Sequence, residues 1–363
     1  FKKSKIILDS PKPYLTDGLI FTPASKAVGW MPDKDDNELN KRSRWIYSLK
    51  WKPQEQNTID FLVSIKDTIY YSGSKQYKKV ELYCGFKGFE KPFEELLKFN
   101  KDSDVKSLHY KKNVYRKVLF KPSNPLFDEA YLCKIFLKYH KNGKYELLTQ
   151  ENEIINDDMI VEFSYDILNK DNVEDVHFLW KPLRIRYDKT EEYRIQKTVF
   201  GNDYGVANSN WYYINNPITD EMIRTGENIP IVDNNDVYYN KSSTISGTLN
   251  NLNKFHNDVK RKLIYEFTTP GIDNILMDFA VGKGGDIPKW IDSNLKFVFG
   301  VDVFKDNIEN RFDGACVRYF NFLVKNFRSK FKKNIPNMMF ATADSSKLIK
   351  NGDATKYDMN DKI

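Results

Sequence analysis

A chain of 363 residues is long enough for roughly two or three domains. Its 25 Phe and 22 Tyr supply ample core material and exclude a globally disordered chain. The formal net charge of +7, with both signs plentiful, permits a polyanionic partner such as RNA without requiring one. Cys84, Cys133 and Cys316 are too far apart for any CxxC or Cys/His metal spacing, so free thiols in a reducing compartment are expected. No apolar run is long enough for a membrane span, and no signal peptide is visible. The start at Phe1 and the end at Asp361-Lys362-Ile363 read as truncations of a longer polypeptide.

In chain order, residues 1–58 hold short strand-like runs, Leu19-Ile20-Phe21 and Trp45 to Trp51, between Pro-containing and charged loops. From Ile59 to about Ile167, apolar residues alternate in runs such as Ile59 to Val63, Val80 to Tyr83, Leu132 to Tyr139, Tyr145 to Leu148 and Met159 to Phe163. Period-two runs between turn signals predict a small antiparallel barrel. Residues 201–245, rich in Asn, Asp, Gly and Pro, read as a linker after a barrel domain of 59–200. From 246 to 363 the pattern becomes helix (Asn253 to Tyr265), strand (Asn274 to Ala280), Gly-rich turn, short helix, strand (Phe297 to Val303), long helix from about Asp306, and strand (Met338 to Ala341). That alternation predicts a parallel sheet with covering helices. Phe320, Leu323, Phe327 and Phe331 form a helical stripe expected to pack in the core, while Lys325, Arg328, Lys330, Lys332 and Lys333 form a solvated face open to RNA phosphates.

The Gly-rich turn carries the strongest chemistry. Asp278 closes the first parallel strand, and Gly282, Gly284 and Gly285 follow it before the short helix. Glycines there allow a tight turn and close approach of a ligand to the main chain. Asp302, ending the next strand, is placed to take the hydroxyls of a ribose, and Asp344-Ser345, past the third strand, to meet an adenine ring. The spacing does not fit GxGxxG, and a carboxylate four residues before the first Gly would repel a pyrophosphate while suiting a sulfonium. S-adenosylmethionine is therefore favoured over a nicotinamide cofactor or a plain structural turn.

The stretch Asp278 to Trp290, with its Gly282-Lys283-Gly284-Gly285-Asp286 centre, resembles the first motif of the cap guanine-N7 methyltransferase family. Phe255-His256-Asn257-Asp258-Val259-Lys260 resembles that family's preceding helix, which implies that Lys260 contacts the methyl donor; His256 is assigned no role. Asn307 to Tyr319 resembles the form of the following helix in large cytoplasmic DNA viruses, and the likeness implies Lys283 and Arg318 near the cap phosphates.

Nearer the N-terminus, Asp17-Gly18-Leu19-Ile20-Phe21 precedes Leu49-Lys50-Trp51-Lys52. On a strand, Lys50 and Lys52 project to one face, where two ammonium groups can grip a nucleotide phosphate; the isolated pattern is also that of an ordinary half-exposed strand. These two pieces resemble motifs IV and V of the covalent nucleotidyltransferases, the superfamily of capping guanylyltransferases and polynucleotide ligases. Trp180 to Lys189 resembles motif VI of its capping branch. The likeness implies phosphate-orienting roles for Arg186, Asp188 and Lys189, with an OB-fold upstream. The superfamily's nucleophilic lysine lies in a K-x-D-G motif, which this sequence does not contain.

The expectation is thus an α+β multidomain chain: the end of a nucleotidyltransferase domain (1–58), an OB-fold barrel with motif VI (59–200), a linker (201–245) and the first part of a Rossmann-like methyltransferase (246–363). The resemblance implies GTP as substrate, a divalent metal (Mg or Mn), S-adenosylmethionine, the 5′ end of RNA and viral transcription machinery as partners, and a place in host cytoplasm or virion. A methyltransferase with a non-catalytic RNA-binding OB-fold, a polynucleotide ligase and a degenerate scaffold are the rivals.

Overall fold

The computed structural model describes residues 2–14, 16–26, 47–229, 248–268 and 274–355. The chain divides into two compact units, 1–85 with 117–231 and 86–116 with 232–363. Along the chain come α1 (Lys2–Asp9), β1 (Leu19–Phe21), β2 (Leu49–Trp51), β3 (Ile59–Ser72) and β4 (Lys75–Lys87). Next are α2 (Pro92–Leu97), α3 (Lys101–Asn113), β5 (Tyr115–Leu119), β6 (Leu132–Tyr139), β7 (Tyr145–Leu147), β8 (Ile160–Tyr165) and β9 (Trp180–Ile185). Then follow α4 (Tyr187–Gln196), α5 (Tyr204–Asn215), α6 (Asp220–Thr225) and α7 (Thr248–Glu266). The remaining elements are β10 (Ile275–Asp278), α8 (Ile287–Asp292), β11 (Phe297–Asp302), α9 (Lys305–Glu309), α10 (Ala315–Arg328) and β12 (Asn337–Thr342).

In the first unit the sheet order is β7-β6-β4-β3-β8-β9, with β5 also on β4, and the β3, β4, β6, β7, β8 and β9 pairings are antiparallel. The segment after β7 turns back to β9, where Gln150 N–H donates to Pro182 O at 2.9 Å and Glu151 N–H to Leu183 O at 3.3 Å. The inward rows meet in an aromatic core: Phe61 lies 5.4 Å from Trp180, and Trp180 lies 5.9 Å from Trp211. Both indoles are satisfied, Trp180 donating to Ala130 O at 2.9 Å and Trp211 to Pro125 O at 3.0 Å.

Trp211 sits on α5, inside the stretch expected as a linker. The described part of 201–245 instead carries two helices, α5 and α6, and α5 completes the core of the first unit. Gly201 makes this possible: with φ +85° it lies so close to β3 that a Cβ would fall 2.3 Å from Asp60 O. Asn202 then brackets Asp60, its N–H donating to Asp60 O at 2.8 Å and its side-chain oxygen accepting from Asp60 N–H at 2.8 Å. A polar composition predicts a connection, but three buried aromatic and aliphatic anchors, Tyr204, Trp211 and Ile214, suffice to fasten a helix.

The predicted all-β stretch is also interrupted. Residues 86–116 contain α2 and α3 and belong to the second unit. Phe89, Leu96 and Leu108 are buried in one cluster with Trp290, Phe320 and Phe340, and the Phe89 and Phe320 rings lie 5.1 Å apart. This unit holds a parallel sheet, as the alternation predicts, with strand order β10-β11-β12. The long helix expected from Asp306 is two helices. The Asn310 side chain accepts from Phe312 N–H at 2.9 Å and Asp313 N–H at 3.3 Å, a local turn that competes with helical bonding and ends α9. α10 then ends at Arg328, so only Phe320 and Leu323 of the apolar stripe are buried; Phe327 is 40% exposed and Phe331, beyond the helix, 88%. Trp45 lies outside the described residues, while Leu19 to Phe21 and Leu49 to Trp51 pair as an antiparallel ribbon.

Candidate functional site

In the second unit, the register pairs Asp278 with Gly300 and Asp302 with Thr342, which puts both carboxylates at the C-terminal ends of parallel strands. After β10 the chain stays beside β11: Val281 N–H donates to Val301 O, and Gly282 N–H donates to the Asp302 carboxylate, both at 2.9 Å. Gly282 (φ +53°) and Gly284 (φ +70°) turn the loop in the left-handed region. The other Asp302 oxygen accepts from Phe304 N–H at 2.9 Å and the Asn307 amide at 3.0 Å. Ala343 N–H donates to Asp302 O at 2.9 Å, which ties the Ala343-Asp344-Ser345 corner to the same strand end. Gly282, Asp302 and the start of that corner are therefore joined by direct hydrogen bonds.

The charges around the loop differ in kind. Asp278 accepts from Ala280 N–H at 3.0 Å, and its carboxyl is pushed above the usual range, first by burial and further by the charges of Asp286 and Asp302. Asp286 is also partly buried, but hydrogen bonds from Lys289 at 2.5 Å and Lys260 at 3.0 Å outweigh that and hold it below the usual range. Asp344 is held low by hydrogen bonds from the Ser346 hydroxyl, at 2.7 Å, and its N–H. Ser345 is exposed. Lys283 is half-buried and bound to Asp313 at 2.9 and 3.1 Å, with Asp306 at 3.7 Å. Arg318 is half-buried on α10 and has no carboxylate partner among the described residues. An anion approaching this helix would meet Arg318 free and Lys283 already neutralised.

Strand-end carboxylates, one of them disfavoured in its charged form, beside a Gly loop whose backbone can be approached closely, make a donor set suited to a cationic adenosyl ligand. No three His, Cys, Asp or Glu side chains are grouped for a metal ion among the described residues.

The first unit holds two further groups. Lys52 pairs with Asp17 at 2.6 Å on the β1–β2 ribbon, and this contact, with Lys50 nearby, lowers the Asp17 pKa. Lys50 is exposed opposite Ile20. Arg186 and Lys189, around the start of α4, both reach one Asp60 oxygen, at 2.7 and 2.5 Å, and Arg186 also bonds Asp188 at 3.2 and 3.3 Å. Asp60 is buried. No hydrogen bond or ion pair joins the Asp17–Lys52 group to the Arg186–Lys189 group among the described residues.

Three organising carboxylates escaped the sequence reading: Asp60, Asp286 and Asp313. Asp286 stood inside the Gly-rich motif, and a Lys three residues on was its signal. Asp313 lies thirty residues from Lys283 and Asp60 more than a hundred from its cations, so nothing local marked them.

Comparison with known proteins bears on the second unit. Residues 234–359 match the mRNA (guanine-N(7))-methyltransferase domain. The chain resembles a viral mRNA-capping enzyme. It is 29% identical to the probable mRNA-capping enzyme of Acanthamoeba polyphaga mimivirus over 92% of its length, and spans 27% of that protein. It is also 36% identical, over 59 residues, to mRNA cap guanine-N(7) methyltransferase 1 of Arabidopsis thaliana, a stretch covering 16% of this chain and 15% of the plant protein. The chain thus spans about a quarter of the viral relative.

Proposed function

We propose that the second unit methylates N7 of an RNA cap guanine with S-adenosylmethionine, as part of a capping enzyme of the large DNA virus type. The observation that carries this reading is the closure of the Asp302 carboxylate on Gly282 N–H, beside Asp278 at the neighbouring strand end. S-adenosylmethionine, when bound, supplies an electrophilic methyl on a sulfonium. Asp302 would accept the ribose hydroxyls while holding the loop, and Asp278 would face the cationic end, where its costly charge is relieved. Asp344 and Ser345 would flank the adenine, and Lys260 would work through Asp286, to which it is bound. Guanine N7 is itself nucleophilic, so these residues act by placement rather than by proton transfer. Arg318, and Lys283 if Asp313 releases it, would take the cap phosphates.

The first unit supports a second, linked activity. Its antiparallel sheet followed by Arg186, Asp188 and Lys189 is the arrangement expected of an OB-fold with motif VI, and Lys50, Lys52 and Asp17 fit the preceding motifs. In this reading the parent protein transfers GMP from GTP to a diphosphate RNA end. No step is drawn through a metal. Its partners would be the RNA 5′ end and viral transcription machinery, in host cytoplasm or virion.

The test is calorimetric binding of S-adenosylhomocysteine together with methyl transfer to the cap dinucleotide GpppG. Micromolar binding that Asp302→Ala abolishes supports the proposal; nucleotide binding that ignores both Asp278→Asn and Asp302→Ala overturns it.

A further inference from the structure

The β3–β4 hairpin and β6 present a face that none of these activities uses. Register places Tyr70 opposite Tyr77 and Tyr77 opposite Phe136, one aromatic row across three strands. Alternate side chains share a face, so Lys75 and Lys79 flank Tyr77 on β4, and Lys134 and Lys138 flank Phe136 on β6. Every same-face neighbour of the two central rings along their own strands is therefore a lysine. The rings pack on one another, Tyr70 on Tyr77 at 5.5 Å and Phe136 on Phe178 at 4.6 Å. The ammonium groups lie over rings: Lys79 over Tyr70 at 4.6 Å, Lys75 over Phe136 at 5.6 Å and Lys134 over Tyr77 at 5.5 Å.

The carboxylates that meet this face neutralise only part of it. Asp175 binds Lys134. Glu146 stands opposite Lys138 and accepts from the Asn142 amide at 3.2 Å. Lys75, Lys79 and Lys138 have no ion-pair partner among the described residues, and Lys75 and Lys138 are exposed. Cation–π contact holds a lysine in place without cancelling its charge, so Lys75 and Lys79 are positioned, uncompensated cations over aromatic rings, with the exposed Lys138 beside them. The basic end of α10 is a weaker platform, because Lys333 pairs with Asp292 and Lys332 is spent on the carbonyls of Asn326 and Phe327.

We propose that this face binds single-stranded RNA, with Lys75, Lys79 and Lys138 on its phosphates and the Tyr70–Tyr77 edge against bases. Cationic rows interleaved with aromatics fit a flexible strand better than a rigid duplex or a compact anion. The inference rests on the chain handling capped RNA, and would give it a grip on the transcript body separate from the cap site.

The probe is a labelled single-stranded RNA of about twenty nucleotides with a 5′-hydroxyl, titrated onto the whole chain at several salt concentrations. The triple variant K75E/K79E/K138E is expected to bind at least tenfold more weakly, with the slope of log affinity against log salt reduced by about two, three phosphates at roughly 0.7 each. The milder triple Lys→Gln variant should fall between, with an unchanged circular dichroism melt. Tyr70→Ala, which removes the ring under Lys79, should weaken binding two- to threefold. Unchanged RNA affinity in the Glu triple overturns the proposal. So does loss of binding only in K325E/R328E, or loss of poly-glutamate rather than RNA binding in the Glu triple, which would assign the face to an acidic protein. Binding of S-adenosylhomocysteine is read in parallel: its absence sinks the cap reading, whereas normal S-adenosylhomocysteine binding with unaltered RNA binding sinks this inference alone.

Discussion

Asp278 in the second unit and Asp60 in the first are both carboxylates drawn out of water, yet their surroundings are opposite. Asp60 receives two cations on a single oxygen, Arg186 and Lys189. Asp278 receives one backbone N–H and lies in the field of two further carboxylates. The first arrangement is closed on itself. Any phosphate that is to use Arg186 or Lys189 must compete with Asp60, so this cation pair is held in reserve. The second is left electrostatically uncomfortable, which is what a site for a cationic ligand requires before the ligand arrives. Perturbation marks the open site, and satisfaction marks the latched one.

The comparison can be broken most severely at Asp302, which props up the open site. Asp302→Ala leaves Gly282 N–H and Phe304 N–H without their acceptor, at about 1–3 kcal/mol each. A loss of about 2–4 kcal/mol in urea unfolding of the second unit is expected, with S-adenosylhomocysteine binding weakened at least a hundredfold. Binding that survives would show that the loop is shaped without Asp302.

At the latched site, Asp60→Ala strands two cations. Breaking a fully buried pair costs about 3–5 kcal/mol. Arg186 and Lys189 side chains are 26% exposed and can recover some hydration, so about 2 kcal/mol is expected. Asp60→Asn should cost less, since Asn202 still brackets the backbone. If nucleotide or polyphosphate binding by the first unit rises in Asp60→Asn, the latch is real; a fall would mean that Asp60 positions the cations rather than restraining them.

The two carboxylate networks are not equally visible in the sequence. The strand, Gly turn, strand alternation of the second unit is written in local periodicity, and so the strand-end positions of Asp278 and Asp302 and the turn at Gly282 and Gly284 were legible there. Helix interruption at Asn310 was harder, because an Asx turn competes with helix through one side-chain oxygen. Asp60 was not readable at all. It sits between Ile59 and Phe61 on an alternating strand, where period two sends it outward to water. It is buried because Gly201, Asn202, Arg186 and Lys189 return to it from far along the chain. The assignment of 86–116 to the second unit was hidden for the same reason: Phe89, Leu96 and Leu108 are ordinary apolar residues until α10 supplies their partners.

A smaller effect comes from pH. The Asp278 carboxyl is raised above its ordinary 3.8, so on acidification the folded state takes up this proton before the unfolded chain does. The unliganded second unit therefore gains stability from Asp278 as pH falls through its raised pKa and loses it as pH rises through the same range. Affinity for a cationic adenosyl ligand runs the other way, because protonation removes the attracting charge. Between neutral pH and about pH 4, wild-type affinity is expected to fall up to tenfold, while Asp278→Asn should be weak and flat. Asp286 stays ionised over most of that interval, since its lysines hold it low, and cannot mimic the effect. A pH profile that persists in Asp278→Asn would move the titration elsewhere.

The smallest effect is expected at Lys52. Its pair with Asp17 is short, 2.6 Å, but the two side chains are 42% and 70% exposed. An ion pair in that much water contributes about 0–0.5 kcal/mol, so Lys52→Ala should leave the melting temperature within about a degree of wild type. The chemistry should be equally undisturbed in one respect. A phosphoramidate nucleophile needs its amine lone pair free to attack, whereas the Lys52 amine is engaged by the Asp17 carboxylate at 2.6 Å. Incubated with radiolabelled GTP and a divalent metal, neither this chain nor its Lys50→Ala and Lys52→Ala variants should retain label after denaturation, because the sequence contains no K-x-D-G. Label that survives in the wild type and vanishes in Lys50→Ala would make the exposed Lys50 the attacking amine. The ribbon would then be a nucleophile's seat rather than a phosphate grip.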